Sequence, residues 1–189
     1  MTRVGVLALQ GDVREHARLL LGMSVEPVLV KHPEQLGDID GLVIPGGEST
    51  TIGKMAVRFG LLDPIREVVT SGLPVYGTCA GMILLAGAVT EGDQPLVGGL
   101  DIVVRRNAFG RQNESFESDI EIEGMDVPFP AVFIRAPWVE KVGADVEVMA
   151  VVDDHPVMVR HENLMATSFH PEIAGDDRVH RVFLEMIGV

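Results

Sequence analysis

One short stretch of this sequence has the residue types and spacing of a catalytic nucleophile. Gly77-Thr78-Cys79-Ala80-Gly81 is a G-x-C-x-G pentapeptide. It follows a short apolar run, Pro74-Val75-Tyr76, and precedes a helical one, residues 80–86. A nucleophile on a sharp strand-to-helix turn needs a small residue on either side, because a Cβ there would collide with the turn. The sulfur then lies at a helix N-terminus, whose dipole favours a thiolate. The N–H of Ala80 is free to donate to an oxyanion. Cys79 is the only cysteine, so no intrachain disulfide competes for it. The plainer alternative is a buried structural cysteine among flexible glycines.

A cysteine nucleophile needs a base. The chain has six histidines: His16, His32, His155, His161, His170 and His180. His170 stands apart by its setting, Ser168-Phe169-His170-Pro171-Glu172. Pro171 fixes its own φ and biases His170 towards extended geometry. In an extended segment residues i and i+2 face the same side. Glu172 is therefore expected to accept from one imidazole nitrogen and aim the other at Cys79. A third element, Pro45-Gly46-Gly47-Glu48-Ser49, ends a predicted strand. Open α/β sheets gather their sites at that edge. Two adjacent glycines allow close backbone approach, and the Gly47 N–H is a candidate second oxyanion donor. There is no C-x-x-C or H-E-x-x-H cluster, so no metal is expected.

The elements that must position these residues follow from the apolar pattern. Residues 4–9 form a continuous apolar run, as a strand buried on both faces does. Asp12 can cap a helix running to Met23, with Val13, Ala17, Leu20 and Leu21 on one face. Strands are predicted at 25–30 and 41–44, helices from Ser49 and over 61–71, a strand over 74–77 and a helix over 80–86. Beyond Leu100 the pattern alternates as antiparallel strands do, at 101–105, 118–123, 131–134, 147–152, 156–160 and 166–169. A last helix, 179–187, follows Asp176-Asp177. The first half is a βαβ array, which implies a parallel sheet with helices on both faces. The whole reads as one three-layer α/β domain spanning residues 1–189.

Composition narrows the classes. The 189 residues are 47% hydrophobic and 23% charged, which excludes a disordered chain. Net charge is −13, so the surface should repel nucleic acid and anionic membranes. No apolar run reaches the roughly 18–20 residues that span a bilayer, and no secretory signal is visible, so the expected location is cytoplasmic.

Elbow and His170-Pro171-Glu172 together resemble the triad-type class I glutamine amidotransferases. Further motifs are similar to one branch of them. These are Leu9-Gln10-Gly11 with Glu15-His16, Pro45-Gly46-Gly47-Glu48-Ser49-Thr50-Thr51, the segment from Arg106-Asn107-Ala108-Phe109 to Gly110-Arg111-Gln112, and Phe133-Ile134-Arg135-Ala136-Pro137. That branch comprises the glutaminase subunits of pyridoxal 5′-phosphate (vitamin B6) synthase. The resemblance runs from Val4 to the final helix.

The resemblance implies a flavodoxin-like, mostly parallel sheet with added antiparallel strands. It implies Cys79, His170 and Glu172 as the catalytic triad and Gly47 and Ala80 as the oxyanion hole. L-Glutamine would be held by Gly46, Gly47, Glu48, Ser49, Arg106, Ile134 and Arg135. Arginine suits the α-carboxylate because its fork binds bidentately, and Glu48 suits the ammonium. The implied partner is a (β/α)₈-barrel synthase, in a complex of twelve copies of each subunit, with Gln10 at the interface. A peptide flip at Gly46-Gly47 on docking is expected to complete the oxyanion hole. No cofactor is implied in this chain, although the complex makes one. Two other readings share the elbow: another cysteine hydrolase of the same fold, and a redox-sensing cysteine protein.

Overall fold

The computed structural model describes residues 1–109 and 115–189. Gly110, Arg111 and Gln112 of the motif that begins at Arg106 lie outside the described residues. The first half runs β1 (Arg3–Leu7), α1 (Val13–Gly22), β2 (Glu26–Val30), β3 (Gly41–Ile44), α2 (Ser49–Arg58), α3 (Leu62–Thr70), β4 (Val75–Thr78) and α4 (Ala80–Leu85), with a 3₁₀ turn at Pro33–Asp38. The second half contributes β5 (Ala86–Val89), β6 (Leu100–Arg105), β7 (Ser115–Ile120), β8 (Phe129–Ile134), β9 (Trp138–Val142), β10 (Glu147–Val152), β11 (His155–His161), β12 (Leu164–Thr167) and α5 (Arg178–Ile187).

Seven strands form the central sheet in the order β10-β11-β12-β4-β3-β1-β2. The five strands from β12 to β2 pair in parallel, and β11 and β10 add an antiparallel edge. Alternate side chains of one strand enter different cores, as a period of two requires. On β3, Leu42 and Ile44 pack with α2, α3 and α4, while Val43 packs on the opposite face with α1 and α5. Helices thus cover both faces, and the strands must be apolar throughout. Two smaller sheets, β5-β6-β9 and β7-β8, complete the fold.

The structure departs from the sequence expectations at several places. Strand β7 covers 115–120 rather than 118–123, because it pairs along the whole of β8, Ser115 opposite Ile134 and Ile120 opposite Phe129. The helix predicted to Ala86 stops at Leu85, because Ala86 turns extended (ψ 148°) and starts β5 against β6. Strand β9 has no counterpart among the predicted strands. Among the described residues it is an edge strand bonded only to β6, with a register shift along the pair, and the exposed Glu140 and Lys141 in succession blur the alternation. Finally, β12 covers 164–167 rather than 166–169. It runs level with β4, Thr167 opposite Thr78, and the Cys79 N–H donates to the Thr167 carbonyl at 2.7 Å. Both chains therefore leave the sheet at one level, which brings the residues after Thr78 and those after Thr167 together.

The turn between β4 and α4 depends on its glycines. A Cβ on Gly81 would overlap the Ile44 carbonyl oxygen, and one on Gly77 would stand 2.5 Å from the Gly81 carbonyl carbon. Helix α4 sits that close to the sheet only because these side chains are missing. Gly81→Ala should lower the unfolding free energy by about 1–3 kcal/mol, the usual cost of overpacking a rigid site. Gly22→Ala, at the end of α1 with open space around it, should be neutral or stabilising by up to about 1 kcal/mol. Urea unfolding of both variants checks the contrast.

Candidate active site

Cys79 lies between β4 and α4 with φ 47° and ψ −98°. A non-glycine residue with positive φ stores about 1–3 kcal/mol of strain, which here is sustained by packing on both sides. The strained turn lifts the thiol to the carboxyl edge of the sheet. Ala80, the first residue of α4, is buried, and its N–H has no acceptor within the helix.

His170 reaches the same place from β12. Its backbone N–H donates to the Val132 carbonyl on β8 at 2.8 Å, which fixes the segment. Its Nδ1 lies 2.7 Å from Glu172 Oε1, both side chains buried. The predicted pairing is present, but not through an extended segment. The chain turns here instead, with the Ile173 N–H donating to the His170 carbonyl at 3.2 Å. Gly46 packs on the ring: a Cβ there would overlap His170 Cε1.

A fourth residue, Asp12, belongs to this group. The sequence makes it the expected cap of α1, and it does hold the N-cap position, but its side chain makes no capping bond. Its Oδ2 lies instead 3.3 Å from His170 Nδ1, and its backbone N–H donates to the Gly46 carbonyl at 3.0 Å. A carboxylate just beyond the end of the first parallel strand was the available signal. Asp12, His170 and Glu172 bring potential ligand atoms within 4.8 Å of one another. In this arrangement both carboxylates converge on the same ring nitrogen, as orienters of an imidazolium do.

Burial works against a charged His170, but hydrogen bonds with Asp12, Cys79 and Glu172 outweigh it and push the ring up to about 12. Burial also raises the Glu172 carboxyl, against its bonds to His170.

These groups open onto a cleft of about 320 Å³ lined by Gln10, Asp12, Gly47, Glu48, Ser49, Cys79, Ile83, Arg106, Asn107, Ile134, Arg135 and His170. Most of the predicted ligand-binding residues therefore share one cavity. Ala80, Gly46 and Glu172 are not among the residues that line it. Gly47 (φ 154°) is exposed, and Gln10 Oε1 accepts from the Glu48 N–H at 2.8 Å. Because the peptide is planar and trans, the Gly46 carbonyl bonded to Asp12 points the Gly47 N–H away from the 10–12 loop.

Several of these side chains already have partners. Glu48 caps α2, accepting from the N–H groups of Thr50 (3.2 Å) and Thr51 (2.7 Å). Although burial opposes it, these bonds hold its carboxyl below the ordinary range. Arg106 Nη2 donates to Glu48 Oε1 at 3.2 Å, so cation and anion stand side by side in the cleft wall. The Ser49 hydroxyl is turned away, donating to Gln94 Oε1 at 3.1 Å. Arg135, in a positive-φ turn (43°) after β8, is exposed at the rim beside half-buried Ile134. Arg105 is spent on Glu140, with bonds of 3.0 and 3.2 Å.

The His170 shift has a consequence for stability. Its folded pKa lies above the unfolded value, so its stabilisation is complete below about pH 6.5 and is lost as pH rises towards about 12. Between about pH 7 and pH 9 unfolding free energy should fall by up to about 1.4 kcal/mol per pH unit. His170→Asn should flatten this slope, and urea titrations across that range measure it.

Comparison with known proteins places the geometry. The profile of the SNO glutamine amidotransferase family matches residues 6–189. A Frankia alni protein named pyridoxal 5′-phosphate synthase subunit PdxT is 60% identical over 188 residues, covering 98% of this chain and 94% of its own. A Streptomyces coelicolor protein of the same name is 58% identical over 187 residues, covering 97% and 93%. A crystal structure described as a glutamine amidotransferase superposes with a TM-score of 0.94 at 50% identity, covering 98% of this chain and 99% of its own. At 18% identity and a TM-score of 0.71, the structure of PurLQS from Thermotoga maritima shares the fold, covering 99% of this chain and 98% of its own. The chain belongs to the SNO glutamine amidotransferase family.

Proposed function

We propose that this chain hydrolyses L-glutamine to L-glutamate and ammonia, and hands the ammonia to a partner synthase that builds pyridoxal 5′-phosphate. The observation that carries the reading is the convergence of Cys79 and His170 on one cleft, with Glu172 bonded to the His170 ring and the Arg106–Glu48 pair in the cleft wall. Glutamine is a zwitterion with a side-chain amide. Its α-carboxylate meets Arg106, assisted by Arg135, and its ammonium meets Glu48. The amide then reaches Cys79 past Ile134, Gly46 and the backbone at Ser49.

The Cys79 thiolate, paired with the His170 imidazolium, attacks the amide carbon. The N–H groups of Gly47 and Ala80 receive the oxyanion. As the tetrahedral adduct collapses, the C–N bond breaks, and His170 gives its proton to the departing ammonia. A γ-glutamyl thioester remains. His170, now neutral, takes a proton from water, whose oxygen attacks the thioester. The C–S bond breaks, glutamate leaves, and the thiolate–imidazolium pair is restored. Glu172 and Asp12 hold the ring throughout. Side chains and backbone alone carry this chemistry, so no cofactor enters it.

Residues 1–189 act as one glutaminase domain. The partner is a (β/α)₈-barrel synthase, with twelve copies of each subunit in the assembly. Gln10 stands at the docking surface, and its bond to the Glu48 N–H gives docking a grip on the Gly46–Glu48 backbone. A reducing cytoplasm suits a mechanism that needs a free thiol.

Glutamate release should be measured with this chain alone and mixed with the barrel synthase of the same organism. Release should rise on mixing and fall by about 10⁴-fold or more in Cys79→Ala, the scale of losing a triad nucleophile. Glutamine should still bind to that variant. Release that survives the substitution overturns the assignment. In Arg106→Ala, KM for glutamine should rise about tenfold or more with kcat less affected, as expected when a charge-assisted binding contact is lost.

A further inference from the structure

Two histidines lie fully buried behind the triad, and the mechanism above leaves them without a role: His16 on α1 and His180 on α5. His16 Nδ1 is 2.9 Å from His180 Nε2. His16 Nε2 is 3.2 Å from Thr78 Oγ1, one residue before the nucleophile, and 3.6 Å from Glu172 Oε2. Glu172 spends Oε1 on His170, and its Oε2 has no hydrogen-bond partner within 3.5 Å among the described residues. His180 Nδ1 likewise has none among them.

Charged and titratable groups surround this pair from every side. They are Glu172 and His170 after β12, Asp12 at the start of α1, Tyr76 on β4 edge-on to His180, and Asp177 at the start of α5. Burial, then His180 and His170, hold His16 well below its ordinary range. Burial takes His180 down to about 4, against the pull of Asp177. Both rings are therefore neutral near pH 7.

Two neutral rings sharing one bond have two arrangements. In the first, His16 donates from Nδ1. His180 then carries its proton on Nδ1, where it has no acceptor, and His16 turns a bare lone pair towards the Glu172 carboxylate. In the second, His180 donates from Nε2 to His16 Nδ1, and the His16 proton sits on Nε2, facing Glu172 Oε2 and Thr78 Oγ1. The first strands a buried donor and sets a lone pair against an anion, which is the costly choice. The second strands no donor. At 3.6 Å the His16 N–H dipole acts on the carboxylate in a fully buried setting, where such attraction is weakly screened.

We propose that His16 is a positioning residue for the triad: its Nε2–H, fixed in that tautomer by His180, holds the second oxygen of Glu172 and keeps the first on His170. The kinetic consequence rests on the glutamine reading above, while the tautomer and the Cys79 chemistry do not.

Three measurements on the full-length chain test it. Ring ¹⁵N shifts of the wild type near pH 7 should report His16 and His180 both neutral with the proton on Nε2. A His16 proton on Nδ1 overturns the proposal without any variant. Next, iodoacetamide alkylation of Cys79 is followed against pH in His16→Leu and His16→Gln. Leucine should move the reactive range to higher pH, because a less firmly held Glu172 weakens the His170 imidazolium and hence the thiolate. Glutamine, whose amide both donates and accepts, should restore most of it. An unmoved profile in a folded His16→Leu, or equal damage in both variants, overturns the proposal. Last, with the synthase present, His16→Leu should lower kcat by roughly 10- to 100-fold at unchanged KM, the scale of losing a hydrogen-bond partner one step behind a site. If the wild type releases no glutamate, the glutamine reading falls, and the first two measurements still decide the role of His16.

Discussion

The level pairing of β4 with β12 is the constraint on which the site depends. Thr78 and Thr167 stand opposite each other at the ends of these parallel strands, tied by the bond from the Cys79 N–H to the Thr167 carbonyl. A shift of one residue would turn every side chain to the other face. Cys79 and His170, 91 residues apart in sequence, meet only because both chains leave the sheet at the same height. β3, on the other side of β4, delivers Gly46 and Gly47 to that edge as well. Parallel strands end together, and their last residues form one floor.

Burial then shapes the electrostatics of that floor. His170 and Glu172 are largely removed from water, so each must find a partner or lose its charge. Two carboxylates, Asp12 and Glu172, converge on Nδ1 and keep the ring protonated beside the sulfur. Asp12 also holds the Gly46 carbonyl, so a single residue ties His170 to the peptide that carries the Gly47 N–H. Displacing the 10–12 loop would disturb both at once. The net charge of −13 has no visible part in this group, whose charges are paired locally.

The sequence carried the outline of the site because its signals are local. A cysteine between two glycines, after a strand and before a helix, is a geometric statement about one turn. The overlap that a Cβ on Gly81 would make with Ile44 is its physical cause. His170 and Glu172 were legible for a similar reason, two residues apart on either side of a proline, although the segment turns where extended geometry was expected. Strand β9 was not legible, because the exposed Glu140 and Lys141 in succession blur the alternation. The role of Asp12 was hidden because an aspartate ahead of a helix usually caps it, and only the approach of His170 recruits the carboxylate elsewhere.

By itself the sequence determined the alternation of buried strands and amphipathic helices, the parallel first half, and the grouping of Cys79 with flanking glycines and of His170 with Glu172. Each of these is set by residues within a few positions of one another. Tertiary structure alone decided which distant groups share a nitrogen or an oxygen. It brought Asp12 to His170, set Arg106 against Glu48, turned Ser49 to Gln94, and placed His16 between His180 and Glu172. Such contacts depend on the height and tilt at which separate elements pack. Hydrophobic periodicity fixes which face a residue occupies, and leaves open what it meets there.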